Sequence, residues 1–142
     1  MKLKKIKYKD LNPKQKENYN FQKISAILAD YGYSTIRLTD DWQGADFIAQ
    51  HYKTKLFIKV QLKGRLTFQK KYLKKDIYIC FRDKKNVDSW YLFNHDKFLK
   101  ELKQKNKKVI KGTLSWDIKG GYSFSGLSSK NREIIKKYRI PS

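Results

Sequence analysis

The sequence is poor in the residues that build covalent cross-links and metal clusters. It contains one cysteine, Cys80, and two histidines. A single cysteine excludes an internal disulfide, and so few cysteines and histidines argue against a structural zinc site. Because Cys80 lies in the apolar run Ile-Tyr-Ile-Cys-Phe, we expect it to be a buried, small apolar residue without a catalytic role.

Long apolar runs are also missing. No stretch reaches the ~18 apolar residues of a membrane-spanning helix. The basic start of the chain lacks the uninterrupted apolar segment of a secretion signal. We therefore expect no membrane partner and a cytoplasmic location.

Acidic residues are scarce as well. Thirteen Asp and Glu face 34 Lys and Arg, which gives a net charge of +21. This excess goes beyond what solubility requires and predicts a polyanion as partner. With 142 residues, 39% of them hydrophobic, we expect a single domain over 1–142. Within it we expect a basic arm at 1–11, either an edge strand or mobile, a core at about 12–108 and a C-terminal extension at 109–142.

One helix is predicted near the start of the chain. Asn12-Pro13 is a typical helix start and Gly32 a typical stop, so we expect a helix from about Pro13 to Tyr31. Its apolar stripe contains Phe21, Ile24, Leu28 and Tyr31. One step further back, this face carries Glu17 with Asn20 beside it, which points both polar groups inward.

Strand-like runs follow the helix. We expect a strand at 33–38, a loop at 39–44, a hairpin of 45–49 and 56–62, a basic linker at 64–75, strands at 76–81 and 89–93, a helix capped by Asn94 or Asp96 that ends near Lys105, a strand-like piece at 122–124 and a last helix at 130–138. A helix, a three-strand meander, two further strands and a second helix indicate an α/β (α+β) fold with a central mixed sheet.

The hairpin places chemically useful residues together. Antiparallel pairing brings Asp46 close to Gln61, and a period of two puts Gln61 and Lys63 on one face of their strand. Hydrolysis of a phosphodiester needs a metal ion and a nearby cation. Oxygen donors for Mg²⁺ are available from the Asp46 carboxylate, the Gln61 amide and the Leu62 backbone carbonyl, with Glu17 as a further carboxylate and Lys63 as the cation.

A structural interpretation explains the same residues without chemistry. Gln61 and Lys63 would form the solvated face of an edge strand, and Asp46 would cap a turn. Glu17 would be an ordinary acid of the first helical turns, favoured by the helix dipole.

The phrase Gly-Ala-Asp-Phe-Ile-Ala followed by Val-Gln-Leu-Lys-Gly-Arg resembles the PD-(D/E)XK nuclease superfamily and looks like its small uncharacterised bacterial members. The resemblance covers about 13–81 and implies a restriction-endonuclease-like fold with helices on both sides of the sheet. It also implies that Asp46 binds Mg²⁺ or Mn²⁺, that Gln61-Leu62-Lys63 stands where the family has Glu-x-Lys, and that Glu17 is a further metal contact.

Two positions depart from the family pattern. No proline precedes Asp46, and Gln61 replaces the usual acid, as it does in the endonuclease subunit of a cut-and-paste transposition system that resembles this chain. Glutamine removes one negative charge, so the free protein should bind metal more weakly. Because the scissile phosphate brings negative charge, the site would assemble fully with nucleic acid bound.

Basic residues directly after the hairpin predict a phosphate track. The expected contacts to nucleic acid are Arg65, Lys70, Lys71, Tyr72, Lys74 and Lys75, with Trp42 stacking in the loop before Asp46. The lysines from Lys100 to Lys108 are either a second phosphate-binding surface or a solvated helix end. His95-Asp96 has no third catalytic member in evidence, so a helix cap is the better interpretation.

Three functional hypotheses follow. The first is a metal-dependent endonuclease of restriction, repair or mobile-element type that cleaves double-stranded DNA, as a homodimer or larger assembly if both strands are cut. The second is a catalytically weak or inactive protein of this fold that binds DNA or RNA through a basic groove. The third is a ribosome-associated or RNA-packaging protein, which requires Asp46 and Lys63 to lie far apart.

Overall fold

A computed structural model describes residues 1–106, 110 and 112–141, with only the backbone described at 41 and 42. The helices are α1 (Pro13–Asp30), α2 (His95–Lys105), α3 (Leu114–Asp117) and α4 (Ser129–Ile135). The strands are β1 (Tyr33–Trp42), β2 (Ala45–His51), β3 (Phe57–Lys63), β4 (Thr67–Gln69), β5 (Ile77–Arg82), β6 (Trp90–Asn94) and β7 (Gly121–Ser123). Short 3₁₀ turns cover Tyr8–Asp10, Lys70–Tyr72 and Lys136–Tyr138.

The central sheet has the strand order β1-β2-β3-β5-β6. β3 and β5 run parallel, and the other neighbouring pairs run antiparallel. The smaller strands β4 and β7 pair with each other outside this sheet. The expected mixed sheet, with its three-strand meander, is therefore confirmed.

Helices cover both faces of the sheet. On one face, Ile24 and Leu28 of α1 pack with Phe47 and Val60 in one apolar cluster. On the other face, the strands pack with residues of α2 and of the C-terminal segment, including Leu102, Trp116, Phe124 and Ile135. Cys80 lies in the first cluster, as expected, and its burial raises the pKa of the thiol. No helix in the described part of the chain is long and apolar enough to span a membrane.

Local signals determine α1. The Asn12 side chain accepts a hydrogen bond from the Gln15 amide at 2.8 Å, and the Gln15 side chain accepts one from the Asn12 amide at 2.9 Å. This reciprocal cap fixes the start at Pro13, and the helix ends one residue before the predicted end. Tyr31 is 41% exposed rather than part of the buried stripe, and its hydroxyl donates to the Pro141 carbonyl.

The loop predicted at 39–44 is wrong, because β1 continues to Trp42. A two-residue turn, Gln43-Gly44, then leads into β2, with φ angles of 51° and 85°. Positive φ at both central positions is typical of a type I′ hairpin turn, and glycine adopts this conformation without a steric cost. The turn therefore replaces the loop.

The basic linker predicted at 64–75 is also wrong. It contains β4 and the 3₁₀ turn Lys70–Tyr72, and Leu66, Phe68 and Tyr72 are buried. These apolar residues pack on the core, while the four lysines of the segment are exposed.

The arm at the start of the chain forms no strand. Residues 1–7 have no regular secondary structure. The ring of Tyr8 packs against Tyr19 with 5.3 Å between centroids. Its hydroxyl also accepts a hydrogen bond from the Asn20 amide at 2.8 Å. These contacts attach the end of the arm to α1.

Glu101 joins α2 to the end of the chain. Its carboxylate accepts hydrogen bonds from Lys137 at 2.5 Å, Tyr138 at 2.6 Å and Lys105 at 2.9 Å. Burial opposes ionisation of Glu101, but these three donors outweigh it and lower its pKa to about 2. Burial and the hydrogen bond to Glu101 raise the pKa of Tyr138 to about 12.

We predict that Glu101→Gln removes a pH-dependent part of the stability. The folded pKa of Glu101 lies below its ordinary value of 4.5, so its contribution is present above pH 4.5 and is lost as pH falls toward 2. Near neutral pH the variant should lose about 2 kcal/mol of unfolding free energy, and less in acid. Urea unfolding across this pH range measures the difference.

The matched control is Glu133→Gln, because Glu133 is 71% exposed and forms an ion pair with the exposed Lys136. Its effect should stay within about 0.5 kcal/mol. A Glu101→Gln deficit that does not shrink in acid would contradict the assignment.

Candidate active site

A cavity of about 410 Å³ lies where the start of α1, the second half of β1 and the facing ends of β2 and β3 meet. The polar residues that line it include Glu17, Asn20, Arg37, Asp40, Asp46 and Lys63. The cavity therefore collects side chains from four elements. Because Asp46 and Lys63 share it, the third hypothesis, which requires them to lie far apart, is contradicted.

Asp46 lies where the β2–β3 ladder stops. Backbone pairing of these strands runs from Gln50–Phe57 to Phe47–Val60. Beyond it, the Leu62 amide donates to Oδ2 of Asp46 at 2.8 Å. The carboxylate thus takes the place of a backbone carbonyl as acceptor. Asp46 is held beside the Gln61 to Lys63 end of β3, as the pairing of the hairpin strands predicted.

The turn before Asp46 packs on Tyr72. A Cβ at Gly44 would lie 3.2 Å from Cδ1 of Tyr72. The same ring lies 5.6 Å from the Lys63 ammonium. Tyr72 was expected to contact nucleic acid, but its ring is 1% exposed, so this expectation is corrected. Its buried ring supports both the turn and the lysine.

Three polar side chains alternate along β3, and they lie in different environments: Lys59, Gln61 and Lys63. Nζ of Lys59 donates to the Lys75 carbonyl at 2.5 Å and to Oε1 of Gln43 at 3.2 Å, so Lys59 braces the turn before Asp46. Gln61 is half-buried and pairs with Ile79 of β5. Lys63 lines the cavity.

Glu17 lies on the cavity wall but is well exposed. Its side chain is 62% exposed and its carboxylate lies 3.0 Å from Lys14 and 4.0 Å from Arg37. The Arg37 guanidinium also stacks on Phe21, 5.2 Å from the ring centroid. The carboxylate proposed as a metal contact is therefore paired with two cations.

Two oxygen-bearing residues of this cavity were not predicted as site residues. Asp40 lies on the part of β1 that the sequence indicated as loop. Oδ1 of Asn20 is buried and has no hydrogen-bond partner among the described residues. The position of Asn20 beside Glu17 on the helix stripe was the signal for its inward direction, while nothing local indicated Asp40.

The donors around this cavity suit a hard cation. Carboxylates of Asp46 and Asp40 and the orphaned amide oxygen of Asn20 are the oxygen ligands that Mg²⁺ prefers, and Mg²⁺ retains several waters. Across the residues with described placement, no group of three His, Cys, Asp or Glu side chains is arranged to hold a metal. A cation here would thus depend on amide and carbonyl oxygens, water and phosphate.

The basic residues after β3 divide into two groups. Arg65 is exposed and adjoins Lys63. Lys70 instead donates to the Asp117 carbonyl at 3.4 Å and stacks on Trp116. The Lys71 ammonium lies over the Tyr72 ring. The backbone amide of Lys74 donates to Asp96, and the backbone carbonyl of Lys75 accepts from Lys59. The side chain of Trp42 and residues 107 and 108 lie outside the described part of the structure.

His95 and Asp96 have structural partners. His95 is fully buried, and its Nε2 accepts from the Gln69 amide at 3.1 Å. Its Nδ1 lies 2.8 Å from Asp96. Burial lowers the pKa of His95, and Asp96 opposes this shift. The cap of α2 is Asn94, which accepts from the Lys97 amide, so a cap by Asp96 is wrong.

Comparisons with known proteins give one structural similarity. No protein-family model matches the chain, and no curated protein matches it. The structure of Hjc, a Holliday junction resolvase from the archaeal hyperthermophile Archaeoglobus fulgidus, is similar with a TM-score of 0.39 and 16% sequence identity. The similarity covers 51% of this chain and 74% of that chain. It assigns no activity to this protein, whose function is inferred from the residues of the site.

We predict that Gly44→Ala destabilises the protein. Its φ is +85° and the added Cβ would press on Tyr72, so the unfolding free energy should fall by about 1–2 kcal/mol. Chemical denaturation measures this change. Gly126→Ala is the control, because a Cβ there meets no atom within 4 Å. Equal loss in the two variants would refute the role of the turn.

Proposed function

We propose that this protein is a metal-dependent nuclease that hydrolyses phosphodiester bonds in DNA. The observation that carries the proposal is the Asp46 carboxylate, bound to the Leu62 amide at the end of the β2–β3 ladder and sharing a cavity with Lys63. The net charge of +21 supports a polyanionic substrate.

Asp46 and the Leu62 carbonyl would hold Mg²⁺ at the cavity, with Asp40 as a nearby carboxylate and the Gln61 amide as a further ligand from outside the cavity lining. The metal would supply a water of lowered pKa and offset charge on the phosphate. The Leu62 amide fixes the direction of the Asp46 carboxylate before substrate arrives. The Lys63 ammonium, supported by the Tyr72 ring, stabilises negative charge that develops on the phosphate. Asn20 Oδ1 lies without a hydrogen-bond partner among the described residues and would accept one from water in the cavity.

Glu17 acts at the edge of this arrangement. Its carboxylate is paired with Lys14 and Arg37, so it would be available to a metal ion only if those cations turned to the phosphates of bound DNA.

A second candidate function is nucleic-acid binding without turnover. The neutral Gln61 and the lack of a three-residue acid or histidine cluster among the described side chains favour it. In that case the basic cavity holds DNA or RNA and binding weakens with salt.

We predict that Asp46→Asn and Lys63→Ala each reduce cleavage of supercoiled plasmid in Mg²⁺ by about 100-fold or more, because each removes charge at the reacting phosphate. Asp46→Asn retains an oxygen that accepts from Leu62, so the hairpin should stay folded. The rate is measured on agarose gels. Lys53→Ala, on the exposed turn after β2, is the control and should cleave normally. Undiminished cleavage in either site variant contradicts the site.

We predict that Gln61→Glu raises the affinity of the free protein for Mn²⁺ by about tenfold, because a carboxylate replaces a neutral amide. Isothermal titration calorimetry without nucleic acid measures the affinity. Faster plasmid cleavage at low metal concentration would support the nuclease, whereas tighter metal binding without any cleavage would support the binding protein. Unchanged affinity would exclude Gln61 as a ligand.

A further inference from the structure

Two more cavities adjoin the site on the far side of Gly64. One, of about 340 Å³, is lined by Lys63, Arg65 and Lys84 among others. The other, of about 180 Å³, has Leu66, Phe81, Phe124 and Leu127 in its walls and is called the base cavity below. Gly64 lines both, and it also lines the cavity that contains Asp46. A path from Asp46 to the β5–β6 turn along these cavities therefore passes Gly64.

Gly64 leaves this path open. It carries no side chain, and a Cβ built on it meets no atom within 4 Å. Its backbone does not have a positive φ, so backbone conformation does not require glycine there. What the glycine provides at this position is space between the cavities.

The base cavity has apolar walls and a basic rim. Leu66, Phe81 and Phe124 belong to the hydrophobic core and expose 7% of their surface or less. Arg65, Lys84 and Lys85 are exposed beside them. A flat apolar group attached to phosphates matches this combination of surfaces.

The one acid known to line the base cavity is already neutralised. Asp83 accepts from Arg132 at 2.6 and 3.3 Å and from the Lys85 amide at 2.9 Å. The hydrogen bond from Arg132 is the main reason that the pKa of Asp83 is lowered, so it stays ionised and paired. The charge that a phosphate meets at the rim is that of the lysines and Arg65.

A base of paired DNA reaches such a cavity only after it is unstacked and unpaired, which costs about a few kcal/mol. An unpaired nucleotide can turn its base outward and keep its phosphates at the surface. Single-strand binding proteins use the same division between aromatic or apolar walls and basic residues.

We propose that an unpaired strand of DNA next to the scissile phosphate passes over Gly64, inserts a base into the base cavity and places its phosphates on Arg65 and Lys84. This inference rests on the proposed nuclease function and specifies its substrate as DNA with a single-stranded tail or branch. It also moves the phosphate track from the lysines at 70–75 to the β5–β6 turn.

The test compares binding of three labelled DNAs in EDTA, where metal-dependent cleavage is absent. The first is a blunt duplex, and the second is the same duplex with a single-stranded tail at each end. The third is the tailed duplex with abasic sites in its tails. Fluorescence anisotropy gives the affinities. The protein should bind tailed DNA about tenfold tighter than blunt or abasic-tailed DNA, a difference of ~1.4 kcal/mol.

Gly126→Leu is the diagnostic variant. Gly126 lines the base cavity, and a Cβ there meets no atom within 4 Å, so leucine should fill the space without disturbing the fold. The variant should lose the preference for tailed DNA and keep its affinity for blunt duplex. Lys84→Ala should weaken binding of both tailed DNAs, with Lys119→Ala, an exposed lysine elsewhere, as its matched control.

Equal affinity of the wild-type protein for blunt and tailed DNA would overturn the proposal, as would an unchanged preference in Gly126→Leu. A preference that survives abasic sites would also overturn it, because phosphates alone would then explain binding. Since binding is measured without metal, a tail preference without any cleavage in Mg²⁺ upholds the strand path and refutes only the nuclease. Cleavage in Mg²⁺ without a preference for tailed DNA would uphold the nuclease and refute the strand path.

Discussion

The hydrogen bond from the Leu62 amide to the Asp46 carboxylate lies at the point where two central strands part. A carboxylate that accepts from a backbone amide makes a stronger bond than a neutral carbonyl does. The bond lies beyond the last backbone pair of the ladder and holds the acid at the cavity. The Gln43-Gly44 turn, the Tyr72 ring beneath it and the Lys59 brace all serve the position of this one side chain.

Three of the few carboxylates pair with specific cations. Asp83 binds Arg132, Glu101 binds lysines of α2 and the C-terminal turn, and Glu17 pairs with Lys14 and Arg37. In a chain of charge +21, a carboxylate in contact with cations relieves local repulsion and joins elements that are distant in sequence. Asp46 accepts a hydrogen bond from the Leu62 backbone amide, which holds its carboxylate at the cavity.

Local patterns explain which parts of the fold could be predicted. The Asn12-Pro13 cap and the apolar alternation of the hairpin specify α1, β2 and β3 within a few neighbouring residues, and Asp46 follows from strand pairing alone. The burial of Tyr72 and the formation of β4 depend on the distant partner β7 and the core beneath it, so the lysines around them indicated a linker. Asp40 joined the site only because the Gln43-Gly44 turn extends β1.

Paramagnetic broadening by Mn²⁺ in a ¹⁵N-labelled protein, bound to a phosphorothioate DNA that resists cleavage, locates the cation most directly. The nuclease site predicts that the backbone amide signals of Asp46, Leu62 and Lys63 broaden first, and that Asp46→Asn abolishes this effect. Broadening centred on other residues, or broadening at these amides that persists in Asp46→Asn, would contradict a metal site built on Asp46.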